Sequence, residues 1–376
     1  ENPGAITYRD HFLLHDAKTE TPEQHQTLVT ITAHELAHMW FGDLVTMRWW
    51  DDLWLNESFA EWMGTKIASQ VAPQYHLDVA AAQEAQDIMQ TDARPTTEAI
   101  RQATTDPDEA LRRVGLHYRK GKAVLGMFER WLGPERFRAG IQAYLRQHRD
   151  GNATSADLWA ALQAAAGGAA VTPVIASFVD QPGLPLINVE VLPGGQVRLS
   201  QQRFHNAGVA VAAQSFRVPV SLKFSDGKVT GQRTVLLEGP SQTVTLTRGE
   251  LAWVFPHAEA VGYYRWTLPR ERLQQDREQL AGDRQQTQGK GPADGEHEDG
   301  DGDLAHADQP RRRRDQFLAL GIAAVTTQYA VVNGVKPTFV RDALDHLLPD
   351  FSDKLDPIYQ DAKVQNKPVS DFFSAN

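Results

Sequence analysis

The chain has 376 residues, 41% hydrophobic and 23% charged, which argues against a disordered, collagen-like or coiled-coil protein and leaves room for one to three domains. There is no cysteine, so disulfide frameworks, thiol catalysis, Cys-ligated zinc and iron–sulfur clusters are excluded, and any metal must sit on His, Asp or Glu. Lys plus Arg number 38 against 48 Asp plus Glu, a net charge of -10 that argues against a basic nucleic-acid-binding surface, and no apolar run reaches the roughly 18 to 20 residues of a membrane helix.

Residues from Thr21 to about Asp180 read mainly as helix. Thr21, Pro22 and Glu23 form a start signal, because Thr caps free amides, Pro fits the first turn and Glu suits the positive helix end. Leu28, Ile31, Leu36 and Trp40 recur near helical spacing and Gly42 stands where a helix ends, which predicts one long helix from Pro22 to Phe41. A short apolar-rich stretch, Leu44 to Trp50, and the pair Asp51-Asp52 then precede a second helical run, Leu53 to Val71. Further helices are predicted at 75–90, 115–132, 134–148 and 155–166. From about Pro185 the period changes. Leu186, Val189 and Val191, then Val197 and Leu199, then Phe216, Val218, Val220 and Leu222 favour alternation, with turn signals at Pro193-Gly194-Gly195, Ser225-Asp226-Gly227 and Glu238-Gly239-Pro240. This predicts a small antiparallel β-sandwich. Residues 270–315 are rich in Gln, Asp, Glu, Arg and Gly and read as a flexible charged linker; Phe317 to Val331 and Phe339 to Leu348 read as one or two helices beyond it.

The chemistry concentrates in His34-Glu35-Leu36-Ala37-His38 on the first long helix. Residues four apart lie about 40° apart around a helix, so both imidazoles project from one face and can share one ion, while Glu35, about 100° from His34, reaches the same cavity from the side. Zinc fits this set, because a catalytic site needs only three protein ligands plus water. Glu57, in Asn56-Glu57-Ser58-Phe59-Ala60, follows His38 after 18 residues and supplies a carboxylate from the next helix. By composition the pentapeptide alone arises in about one chain in forty of this length, and the added Glu lowers that to roughly one in several hundred.

These residues resemble the M1 family of zinc aminopeptidases, whose signature is this pentapeptide, 18 residues and Glu. HELAHMWFGDLVTMRWWDDLWLNESFAEW (34–62) is similar almost throughout. Glu1-Asn2-Pro3-Gly4-Ala5-Ile6-Thr7-Tyr8 resembles the family's Gly-Ala-Met-Glu-Asn segment entered in its middle, and His117-Tyr118-Arg119-Lys120-Gly121 resembles its Tyr-x-Lys-Gly stretch. The likeness continues more weakly through Gln181 to Pro185 and up to Gly262-Tyr263-Tyr264-Arg265-Trp266. It implies an α+β protein with a mostly helical, thermolysin-like catalytic domain over 1–185. A β-sandwich over 186–269, the linker over 270–315 and a short helical or partly disordered tail over 316–376 would follow, the whole being the central portion of a larger enzyme. It also implies one zinc on His34, His38 and Glu57, Glu35 as general base, Tyr118 as oxyanion stabiliser, and Glu1 holding the free α-ammonium of a peptide substrate.

Two rivals stay open: a catalytically silent zinc-binding scaffold, and a zinc endopeptidase or dual peptidase and epoxide hydrolase. Glu61, one turn beyond Glu57, reads equally as a partner of a ligating His or as an exposed carboxylate. Asp299 to Asp303 and Arg311 to Arg314 read as solvated charge runs rather than a calcium loop or a nucleic-acid contact. Asn56-Glu57-Ser58 and Asn152-Ala153-Thr154 match glycan acceptor patterns, and Trp49, Trp50 and Trp54 are expected to exclude water around the site.

Overall fold

The computed structural model describes residues 2–14, 20–273 and 275–276, and it mixes helices with strands as an α+β chain. In chain order the main elements begin with α1 (Asp10–Leu13), α2 (Pro22–His38), β1 (Val45–Met47), α3 (Trp54–Val71), α4 (Leu77–Asp92) and α5 (Pro107–Arg112). A π-helical turn (Leu116–Lys120) leads into α6 (Gly121–Leu132), followed by α7 (Pro134–Gln147), β2 (Gly151–Ala153), α8 (Ser155–Ala165) and α9 (Val171–Val179). The strands β3 (Pro185–Leu192), β4 (Gln196–Arg203), β5 (Val218–Ser225), β6 (Thr230–Leu237), β7 (Ser241–Thr245), β8 (Trp253–Phe255) and β9 (Arg265–Thr267) complete it. The predicted linker, the tail and both charge runs lie almost wholly outside the described residues.

The chain divides into two compact units. The described residues of the first are 2–14, 20–44 and 63–77. Here α2 starts on a reciprocal cap: Gln24 N donates to Thr21 Oγ1 at 3.3 Å and Thr21 N donates to Gln24 Oε1 at 2.9 Å, with Pro22 in the first turn. The helix ends at His38, three residues before the predicted Phe41. The reason is that the amides of Met39 and Trp40 turn to the carbonyls three residues back, Leu36 and Ala37, and tighten the last turn. Ala33 of α2 packs on Ala68 of α3 and on Leu77, with Val29 and Tyr75 alongside. At Gly64 the two helices touch through their backbones, since a Cβ there would stand 2.8 Å from the amide nitrogen of His34.

The second unit holds, among described residues, 45–62, 78–273 and 275–276. It contains the first half of α3, the helices from α4 onward and all strands. β1 and β2 pair in parallel, Val45 opposite Gly151. Asp52, just before α3, accepts from the Ser155 amide at 3.0 Å, and Trp54 Nε1 donates to Ser155 Oγ at 2.9 Å, which pins the start of α3 to the start of α8. The strands form a four-stranded sheet in the order β7-β4-β3-β9 and a three-stranded sheet in the order β6-β5-β8. All pairings among β3 to β8 are antiparallel, but β9 joins β3 in parallel, which departs from a purely antiparallel module. Phe255 of β8 and Trp266 of β9 meet edge to face at 5.4 Å, and the Tyr264 hydroxyl accepts from Ser221 N and donates to Pro256 O. Trp54 is buried as expected, whereas Trp49 is 49% exposed, its indole donating to Thr104 O at 2.7 Å, so it is not a core residue.

Candidate metal centre

His34 and His38 project from the same side of the last turns of α2, with their Nε2 atoms 3.0 Å apart and their rings nearly perpendicular. His38 is buried, and its Nδ1 lies 3.0 Å from the carbonyl oxygen of Phe41. A carbonyl only accepts, so Nδ1 carries the proton and Nε2 keeps its lone pair for a ligand. The early end of α2 makes this possible, because it returns the Phe41 carbonyl beneath the ring. Two nitrogens bound to one tetrahedral zinc stand about 3.3 Å apart, close to the observed separation.

α3 brings the carboxylate. Gly64 is the contact point with His34, and Glu57 lies seven residues earlier, nearly two full turns, on the same face of α3 to within about 20°. His34, His38 and Glu57 each offer a ligand atom, all within 4.8 Å of one another. Two neutral imidazoles and a carboxylate form a donor set suited to zinc. Glu35, next to His34, is half-buried. Beside it stands a residue the sequence reading did not single out. The Tyr8 hydroxyl donates to Thr32 Oγ1 at 3.0 Å, and burial, aided by the Glu35 carboxylate, pushes its phenol up to about 12. The only sign of it in the sequence was its place at the end of the motif beginning at Glu1. Glu1 itself lies outside the described residues.

Tyr118 sits, partly buried, in the π-helical turn ahead of α6, an element type that recurs at functional sites. Its neighbours are held tightly. The Ser58 hydroxyl, next to Glu57, donates to the carbonyl of His117 at 2.6 Å. His117 Nε2 lies 3.0 Å from Ile100 O and therefore carries the proton, while burial, reinforced by Arg113 and opposed by Glu57, pushes the ring down to about 4 and keeps it neutral. Lys120 is fully buried on Asp92, at 2.9 Å, and also donates to Gly183 O at 3.1 Å. Asp92 accepts in addition from Thr97 Oγ1, Gly183 N and the Tyr263 hydroxyl, so its carboxylate is saturated with hydrogen bonds.

Glu61 is paired with Lys122 at 3.3 Å, and Lys122 also meets Glu84 at 2.6 Å. Asn56 is 4% exposed inside α3, which closes that glycan acceptor, and Thr154 of the other pattern caps α8 through Asp157. No helix among the described residues is long and apolar enough to cross a membrane.

Comparison with known proteins fits this geometry. The profile of the peptidase family M1 domain matches residues 1–181, and that of a family of unknown function matches 319–376. The chain is 35% identical over 267 residues to a probable aminopeptidase 2 of Sulfurisphaera tokodaii, covering 70% of this chain and 33% of that protein. It is 39% identical over 228 residues to aminopeptidase N of Lactococcus lactis, covering 60% and 27%, and 34% identical over 267 residues to a leucyl aminopeptidase of Saccharolobus solfataricus, covering 70% and 33%. The chain thus matches about a third or less of the length of these relatives.

Proposed function

From the premise that residues 1–181 belong to peptidase family M1, we propose that the chain carries the catalytic centre of a zinc aminopeptidase, which removes the first residue from peptides with a free N-terminus. The observation that carries this reading is the convergence of His34, His38 and Glu57 beside Glu35. Zinc bound there supplies a polarised water of lowered pKa. Glu35 takes the water's proton and passes it to the leaving amine. The Tyr118 hydroxyl donates to the negative charge that develops on the carbonyl oxygen, held in place by the turn that bears it. His38 keeps its lone pair directed at the ion through its bond to Phe41 O. Glu1 holds the α-ammonium of the substrate, as the resemblance implies.

The accompanying domain reading keeps 1–185 as the catalytic domain, with the two small sheets of 186–269 facing each other as a sandwich. Bound metal together with release of amino acids from aminoacyl reporter substrates tests the proposal. Zinc binding without turnover favours a silent scaffold, and cleavage of N-terminally blocked peptides favours an endopeptidase.

A further inference from the structure

The π-helical turn leaves one backbone acceptor without its helical donor. In an α-helix the amide of Gly121 would bond the carbonyl of His117, four residues back. Here that amide reaches Leu116 O, five back, and Tyr118 O, so His117 O is skipped. The Ser58 hydroxyl takes the vacated place at 2.6 Å. Ser58 is 0% exposed, so water does not compete for the bond. Gly121 completes the fit, because a Cβ at that position would overlap the Ser58 side chain. Three independent features, the shifted ladder, the buried hydroxyl and the missing Cβ, therefore converge on one contact. It lies between the residue after Glu57 and the residue before Tyr118.

We infer that Ser58 is a positioning residue, whose hydroxyl holds the π-helical turn open and thereby sets the Tyr118 hydroxyl relative to the Glu57 side of the metal centre. This rests on the roles proposed above for Glu57 and Tyr118. Without the hydroxyl, His117 O and Gly121 N are free to restore the ordinary helical bond. That register shift turns residues on the N-terminal side of the turn by up to about 100° around the axis and carries Tyr118 away from its place.

In the purified protein, Ser58→Ala is expected to lower kcat about tenfold or more, with KM within about twofold and zinc content unchanged. In a Tyr118→Phe background the same substitution should cost nothing further, because a residue acting through Tyr118 has nothing left to position. Ser58→Cys, a weaker donor of similar size, should fall between Ser58→Ala and the parent. Independently of activity, hydrogen exchange at the Gly121 amide should change by about tenfold in Ser58→Ala, while the amides of Ile141 and Tyr144 keep their rates. Unchanged kcat, an equal loss in the Tyr118→Phe background, loss of zinc, or unchanged exchange at Gly121 would each overturn the inference. Absence of any zinc-dependent turnover in the parent would overturn the proposed function instead, and the exchange comparison would still decide whether Ser58 holds the turn.

Discussion

Gly64 and His34 meet backbone to backbone: a Cβ at position 64 would lie 2.8 Å from His34 N and 2.9 Å from its Cα. No flexible side-chain end is available to give way, so the helices themselves must part. Gly64→Ala gains about 1 kcal/mol of helix propensity but adds an overpacking cost of about 1 to 3 kcal/mol. Because Glu57 rides on the same face of α3, separation at residue 64 also moves the carboxylate. The expected outcome is a lower Tm together with a zinc affinity reduced by about tenfold or more, read by metal titration. Unchanged zinc affinity would show that the close approach at Gly64 does not set the carboxylate.

Glu35 is the proposed general base, and it is not among the three side chains that converge. Glu35→Gln keeps the volume of the side chain but cannot accept a proton at neutral pH, so it is expected to retain one zinc per chain and lose kcat by several orders of magnitude. Metal analysis and turnover on the same preparation separate the two effects. Activity persisting in Glu35→Gln would remove Glu35 as the base.

The convergence of His34, His38 and Glu57 was legible because a metal site would dictate residue types and helical spacing at once. His34 and His38 must be four apart on one helix, and Glu57 must come from another. The cap at Thr21 was legible for a similar reason, since it is made by residues three apart. What escaped was built from distant partners. The π-helical turn around Tyr118 read as plain helix, because its extra residue is accommodated by Ser58, 59 positions away. The parallel pair β1 and β2 joins three-residue strands more than a hundred positions apart, too short for any periodic signal. Nothing in the sequence pairs Lys120 with Asp92, and only the fold shows that both are fully buried.

The neutral, buried His117 makes stability depend on pH. Its pKa falls from the ordinary 6.5 to about 4 on folding, so between those values the unfolded chain binds a proton that the folded one refuses. The contribution is complete above about pH 6.5 and is lost as pH falls toward 4, amounting to about 3 kcal/mol over that window. Urea unfolding at pH 7 and pH 5 should show the acid sample weaker. His117→Gln, which cannot titrate, should lose part of that difference. An equal drop in both proteins would assign the pH dependence to other groups.

The buried pair of Lys120 and Asp92 invites a test of what an ion pair contributes when its carboxylate is saturated with hydrogen bonds. Lys120 has 0% side-chain exposure, as does Asp92, and Asp92 keeps three further donors if Lys120 is removed. Lys120→Met alone leaves a carboxylate in the interior without its countercharge, which costs about 3 to 5 kcal/mol. Asp92→Asn alone leaves an ammonium with only the Gly183 carbonyl and the face of the Tyr263 ring, 5.5 Å away. The double variant buries no charge at all. Its destabilisation is therefore expected to be smaller than the sum of the single effects, by roughly 1 to 3 kcal/mol, because each single variant includes the penalty of a stranded partner. Urea denaturation of all four proteins measures the difference. Additivity within about 0.5 kcal/mol would mean that the two charges do not depend on one another, and that the neutral bonds of Thr97, Gly183 and Tyr263 hold this junction without them.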